Sequence, residues 1–344
     1  MNHELRELLI RAGYDAARAP DAWRRVVVIN NFGSVPIPAD RPVDFAQSGF
    51  KLLLLGASGR PTHFARCGAL TDRVLAREGR ILETLSGQPG LAQAVPATRT
   101  VQSPVLRLVL NAYLPGRSYQ QFVARRSAAR WVRDVIEILE LRSQVGVRAA
   151  EAMPDLLDGG ATVSPAAEAA PRLRALRSAG IEAREVEAAE RVLEAAGELP
   201  RTLQHGDLWP GNVVRHRGSW WLIDFAEFAQ VQVPLYDMFH MLQSNPGRRS
   251  LRLRHLWLML GEGALDDEWT GAAREVVRLR AAERGLDVRQ VVGALVYYLV
   301  HISAYRLRAG VPRQFGEAFV RELLRVTGEL RRGLPPEELI SLGR

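Results

Sequence analysis

Residues 203–228 read LQHGDLWPGNVVRHRGSWWLIDFAEF, and no other stretch limits so tightly what the chain can fold into. His205, Asp207 and Asn212 stand in an H-x-D-x-x-x-x-N pattern, and Asp224 follows Asn212 by twelve residues inside an Ile-Asp-Phe. Between them Val213-Val214 opens a strand, Arg217-Gly218-Ser219 has turn chemistry, and Trp220 to Ile223 returns. A hairpin there brings Asn212 and Asp224 back side by side, as ligands of one metal must be. A carboxylate beside an attacking hydroxyl, with an amide and a second carboxylate as hard oxygen donors for Mg²⁺, is what phosphoryl transfer from a nucleotide requires. Asp207, Asn212 and Asp224 are of those types.

The 344 residues suffice for two sub-domains with cores of their own. With 47% apolar and 24% charged residues the composition is that of a soluble globular protein and excludes wholesale disorder. The apolar runs at 52–55 and 295–300 are too short to cross a membrane. The opening MNHELRELLIRAG is charged throughout and lacks the apolar stretch of a secretory signal. A single cysteine, Cys67, excludes an internal disulfide and a Cys-rich metal site. A cytoplasmic location is expected. The net charge of +8 is almost all arginine, since Lys51 is the only lysine. Arginines cluster at 125, 126, 130 and 133 and again at 248, 249, 252 and 254. No nucleic-acid motif accompanies them, so solvated helix faces are expected; an RNA- or polyanion-associated protein is the weaker alternative.

In chain order, residues 1–22 carry a short amphipathic helix, 25–29 a β-branched strand, and 31–47 a Pro/Gly/Asp-rich loop. Strands are expected at 50–55, 62–67 and 105–113, with a helix over 71–85 from the spacing of Val74, Leu75, Ile81, Leu82 and Leu85. Leu114-Pro-Gly116 breaks the chain, and the expected division is residues 1–114 and 115–344. The second part is mainly helical: 120–148, 171–179, 182–196, 233–243, 251–260, 269–282, 288–308 and 315–331. An Ala-rich connection at 151–170, with Pro154, Gly159-Gly160 and Pro165, reads as mobile.

The HxDxxxxN, the Asp-Phe one hairpin later, Pro234-Leu-Tyr-Asp237 opening a helix, Glu78 on the early helix and the Asn-Ala-Tyr-Leu-Pro-Gly break together resemble the aminoglycoside phosphotransferase/choline kinase branch of the protein-kinase-like superfamily. The resemblance covers roughly residues 25 to 330 and is strongest from Gln204 to Asp237. It implies an α+β bilobal fold, with a small N-terminal nucleotide-binding lobe of antiparallel sheet plus one helix. A larger, mainly helical C-terminal lobe would carry catalysis and the acceptor. It also implies Asp207 as the aspartate that takes or orients the acceptor proton, and Asn212 and Asp224 as Mg²⁺ ligands. His205 would pack behind the loop, Asp237 would brace it, and Trp209 and Pro210 would stiffen it. Asn111 and Tyr113, in the stretch 111–114, would form the hinge whose backbone receives adenine.

Two departures lie in the first half. The strand Thr62-His-Phe-Ala-Arg-Cys67 puts Arg66 where such enzymes carry a lysine, twelve residues before Glu78. Arginine is planar and forked yet binds phosphate well, so an Arg66–Glu78 pair is expected, with a surface salt bridge as the bland alternative. Lys51 is the other candidate, but it opens the preceding strand and stands too far from Glu78 in the register read from sequence. Asn31-Phe-Gly-Ser34 has one glycine where a phosphate-cradling turn often has several.

The function expected is an ATP- or GTP- and Mg²⁺-dependent kinase acting on a hydroxyl of a sugar, amino alcohol or aminoglycoside-like compound. Its partners would be the nucleotide and that acceptor, with no nucleic acid. The alternative is a nucleotide-binding pseudokinase or scaffold without turnover. Glu262, Asp266, Asp267 and Glu268 would suit a cationic acceptor, or simply start a helix; Arg248 to Arg254 would suit an anionic one.

Overall fold

A computed structural model describes residues 3–11, 25–29, 50–56, 58–157, 159–244 and 268–308. The loop at 31–47, the second arginine cluster, Glu262 to Asp267 and the helices expected at 251–260 and 315–331 lie outside the described residues. The rest falls into two compact units. The first comprises the described residues up to Arg117 together with Val214–Glu227; the second comprises Ser118–Val213 and the described residues from Phe228 onward.

The first unit is built on five antiparallel strands in the order β1-β2-β3-β5-β4: β1 (Arg25–Ile29), β2 (Phe50–Leu55), β3 (Pro61–Ala69), β4 (Thr98–Gln102) and β5 (Leu106–Ala112). Strand side chains alternate between faces. Phe50, Leu52, Leu54, Ala65, Cys67, Leu106, Leu108 and Leu110 form one core face, and α1 (His3–Arg11) lays Leu8 and Leu9 onto it. The opposite face carries Lys51, Arg66 and Val109, and there α2 (Arg73–Ser86) packs. Asp72 caps α2 by accepting from the Leu75 amide at 3.0 Å, and Gly87 ends it. β4 was not expected: Thr-Arg-Thr-Val-Gln has little apolar content because its ladder partner β5, not its own hydrophobicity, holds it. From Val214 onward the unit also holds the hairpin of β9 (Val213–His216) and β10 (Ser219–Leu222), whose turn residues Arg217 and Gly218 both have positive φ, 49° and 86°. Such primed two-residue turns match the twist of the flanking strands.

The chain passes through the two-residue strand β6 (Arg117–Ser118) into the second unit. Its helices are α3 (Ala128–Ala152), α4 (Pro165–Ser178), α5 (Ala183–Ala195), α6 (Tyr236–Gln243), α7 (Glu268–Glu283) and α8 (Val288–Arg308). α8 lies against α4 and α5, and α3 against α7. Among its described residues, the connection read as mobile carries regular structure. β7 (Thr162–Val163) pairs with β8 (Leu199–Pro200), and Ser164 caps α4 through the Ala167 amide at 3.3 Å. α4 therefore starts at Pro165, six residues before the expected Pro171, which sits inside it. Proline at a helix start is favoured, and two prolines six apart left the choice open to the capping serine.

The first arginine cluster is not a free basic patch. Arg126 and Arg130 bracket Asp134, which is fully buried, at 2.9 and 3.0 Å. No helix among the described residues is long and apolar enough to cross a membrane.

Candidate active site

In the first unit the β2–β3 register sets Lys51 directly across from Arg66. Both side chains leave the face opposite the Leu52/Ala65 core. Arg66 Nη1 donates to Glu78 Oε2 at 2.6 Å, so the expected pair forms, and Glu78 is only 1% exposed. Burial pushes the Glu78 carboxyl up, and neighbouring Asp224 adds to that; Arg66 and Lys51 oppose it, and the result is about 7. Lys51 has a role that sequence distance hid: its Nζ donates to Asp224 Oδ2 at 3.0 Å, while Arg66 Nη1 lies 3.6 Å from Asp224 Oδ1. Asp224 follows β10 with φ of 64°, a left-handed conformation that aspartate tolerates better than most residues. Two cations thus converge on one carboxylate, 173 residues from Lys51 in sequence.

The expected hinge closes β5. Asn111 Oδ1 accepts from Thr98 Oγ1 at 2.7 Å, which ties its side chain to β4. The amides of Ala112 and Tyr113 donate to Ala97 and Thr62 carbonyls at 2.8 and 2.9 Å. Those two N–H groups are therefore committed to the sheet, and the Tyr113 ring is partly exposed.

In the second unit the loop around Asp207 is held from behind by its backbone. The amides of His205 and Gly206 donate to Asp237 Oδ2 and Oδ1 at 2.6 and 2.9 Å. Arg142 Nη1 donates to the Leu203 carbonyl at 3.2 Å, and Arg142 Nε stands 3.2 Å from Asp237 Oδ2. Gln204 returns a clasp to the start of α6, its Oε1 accepting from the Asp237 amide at 3.1 Å. His205 is fully buried, the packing place expected for it. Gly206 takes φ of 83°, which turns the chain so that Asp207 leaves the buried loop. At Gly211 a Cβ would fall 2.4 Å from the Trp209 ring, so only glycine lets that indole lie across the loop.

Asp207 and Asn212 come together. Asn212 Nδ2 donates to both the carbonyl and Oδ2 of Asp207 at 2.9 Å, which turns the amide oxygen of Asn212 away from Asp207. The other carboxylate oxygen, Oδ1, is 3.2 Å from His240 Nε2 on α6. Burial by itself would raise the Asp207 carboxyl, but the hydrogen bond and charge of His240, with His205 and Asn212, hold it below the usual carboxylate range. Its side chain stays 40% exposed, so an ionised oxygen faces solvent. His240 was missed in the sequence; the available signal was its place three residues after Asp237, hence on the same helix face. Asn212 belongs to the second unit and Asp224 to the first.

Solved structures share this fold. An ADP-bound aminoglycoside phosphotransferase, APH(2'')-Ib, aligns with TM-score 0.55 at 14% identity, over 99% of this chain and 100% of its own. A thermostable mutant of APH(4)-Ia, in ternary complex with ADP and hygromycin B, aligns with TM-score 0.53 at 12% identity over 91% and 95%. A Plasmodium vivax ethanolamine kinase aligns with TM-score 0.52 at 10% identity over 90% and 83%. No curated protein matches the sequence. A model of the phosphotransferase enzyme family matches residues 63–272, well over half the chain, and spans Arg66, Glu78, the Asp207 loop and α6. The protein therefore belongs to the phosphotransferase enzyme family, with an α+β fold shared with the solved kinases above.

Proposed function

We propose that this enzyme transfers the terminal phosphoryl group of ATP or GTP, with Mg²⁺, to a hydroxyl of a sugar, amino alcohol or aminoglycoside-like acceptor. One observation carries the reading: Asp207 is an ionised, partly exposed carboxylate whose two oxygens are each fixed by one side chain. Carboxylate oxygens have lone pairs to spare after those bonds, so Asp207 still accepts from an acceptor O–H. In the transfer the acceptor oxygen bonds to the terminal phosphorus, the bond to the bridging oxygen breaks, and the hydroxyl proton passes to Asp207. With so low a proton affinity, Asp207 contributes chiefly by orienting the hydroxyl.

The oxygen of the Asn212 amide and the carboxylate of Asp224 are the hard donors that would hold Mg²⁺. Among the described residues no three His, Cys, Asp or Glu side chains form a metal cluster. That fits an ion held mainly by phosphates and water with one or two protein oxygens. Mg²⁺ supplies positive charge against the phosphate oxygens when bound. Lys51 and Arg66, which neutralise Asp224, are the cations offered to the same phosphates, and Glu78 fixes the guanidinium plane of Arg66. Residues 111–114 would receive the base through groups other than the Ala112 and Tyr113 amides, which the sheet already holds. The names of the solved neighbours, for aminoglycosides and ethanolamine, support a small polar acceptor with hydroxyl groups.

The test is nucleotide turnover by the wild type and Asp207→Asn over a panel of sugars, amino alcohols and aminoglycosides. Acceptor-dependent turnover that falls by roughly 10²–10⁴ in the variant is expected. No turnover with any acceptor, together with no Mg²⁺-dependent nucleotide binding by calorimetry, would overturn the proposal. The double capping of Asp224 by Lys51 and Arg66 favours one second reading, a nucleotide-binding protein without turnover. It predicts calorimetric binding with no product and a cellular role intact in Asp207→Ala.

A further inference from the structure

Behind the Asp207 loop, within the second unit, lies a cavity of about 150 Å³ lined in part by Arg142, Ser143, Gly146, Arg201, Leu203 and Arg284. That is far above the roughly 10–15 Å³ a single water needs. Three of these residues are arginines, and their charges are unequally matched. Arg142 is paired with Asp237 at 3.2 Å. Among the described residues Arg201 meets only neutral oxygens: the Thr162 carbonyl at 3.0 Å, the Gly159 carbonyl at 3.3 Å and the Gln232 amide. Arg284 donates to Ser143 Oγ at 3.2 Å and forms no ion pair among the described residues. Its neighbour Glu283 is engaged by Arg280 at 2.6 Å. Burial, then repulsion from Arg142 and Arg280, push the Arg284 guanidinium down to about 10; Glu283 and Asp237 offset this only in part. The cavity wall thus carries three positive charges against one negative charge; Arg142 is buried and paired, and Arg201 and Arg284 are partly buried without a carboxylate partner among the described residues, which favours an anion between them.

We propose that this cavity binds a phosphate-type dianion, free or as the head of a phosphomonoester, between Arg201 and Arg284, and that Arg142 carries its occupancy to the Asp207 loop. Two excess positive charges call for two negative ones, and forked guanidinium groups suit tetrahedral oxyanions. Arg142 touches the cavity on one side and holds both the Leu203 carbonyl and Asp237 on the other. A dianion shields Arg142 from Arg284 and so firms the Arg142–Asp237 pair that supports the amides of His205 and Gly206.

The experiment is thermal unfolding and calorimetry of the full chain with inorganic phosphate, with glycerol phosphate and with acetate. Each is repeated on Arg284→Gln and Arg201→Gln. Phosphate should raise the wild-type melting temperature, and either substitution should weaken binding at least tenfold. In phosphate-free buffer Arg284→Gln should melt no lower than the wild type, because it removes unmatched charge. Tighter binding of glycerol phosphate assigns the site to a phosphomonoester, and tighter binding of phosphate assigns it to the free ion; acetate should bind neither way. Hydrogen exchange at the His205 and Gly206 amides should slow on phosphate addition in the wild type alone. The absence of any phosphate-dependent change in the wild type, or an equal change in both variants, overturns the proposal.

Discussion

At the scale of single residues, two carboxylates of the proposed site are pushed in opposite directions. Asp207 is held below its usual range by His240, against the effect of burial. Removing that support in His240→Ala should raise the Asp207 pKa, so the acid limb of the kcat profile moves to higher pH and kcat falls about tenfold. His240→Gln, which keeps a hydrogen-bond donor, should recover part of the rate; a pH–rate profile of the three proteins decides. An unchanged acid limb would remove His240 from the account. Glu78 goes the other way, to about 7 from the ordinary 4.5. The native state therefore holds that proton more tightly than the unfolded chain. Its contribution to stability is complete below about 4.5 and lost as pH rises through about 7. Urea unfolding at several pH values between ~4 and ~8 should show this downward slope in the wild type and not in Glu78→Gln.

At the scale of elements, close approach decides which residues are tolerated. A Cβ on Gly293 of α8 would stand 2.3 Å from the Ala196 Cβ beside α5. Gly293→Ala should therefore destabilise by about 1–3 kcal/mol through overpacking, and adding Ala196→Gly should restore part of that loss. A double-mutant cycle of denaturant midpoints measures it, and strict additivity would show that the helices simply separate. The β9–β10 turn works by backbone conformation instead, since Gly218 at φ 86° carries no contact within reach of a Cβ. Gly218→Ala should cost roughly 1–2 kcal/mol from the left-handed backbone alone, read from the same unfolding curves.

At the scale of the whole molecule, the donor nucleotide should act as a stabiliser. At a hundredfold excess over Kd it adds about 2.7 kcal/mol, so Mg²⁺ with ATP or GTP should raise the melting temperature and EDTA should reverse most of the gain. Comparing the two nucleotides in one thermal-shift series identifies the donor. A shift that EDTA leaves untouched would count against Asn212 and Asp224 as metal ligands.

What the sequence settled by itself is local. Asp207 and Asn212 stand five residues apart on one tight loop, Arg217-Gly218 closes a two-residue hairpin, and Arg66 reaches Glu78 across twelve residues. In each case a few backbone angles link the partners, so residue type and spacing nearly fix the geometry. The family likeness was readable for the same reason. Tertiary structure alone decided the rest. Lys51 was set aside from sequence distance, yet strand register places it on Asp224 across 173 positions. His240 joins Asp207 only because α6 packs behind the loop, and β4 exists only because β5 offers it a ladder. Arg126 and Arg130 look like a free basic cluster until folding buries Asp134 between them. Long-range partners depend on register and packing, which the pattern of one segment does not encode; the residues around Asp207 were legible because they carry their geometry with them.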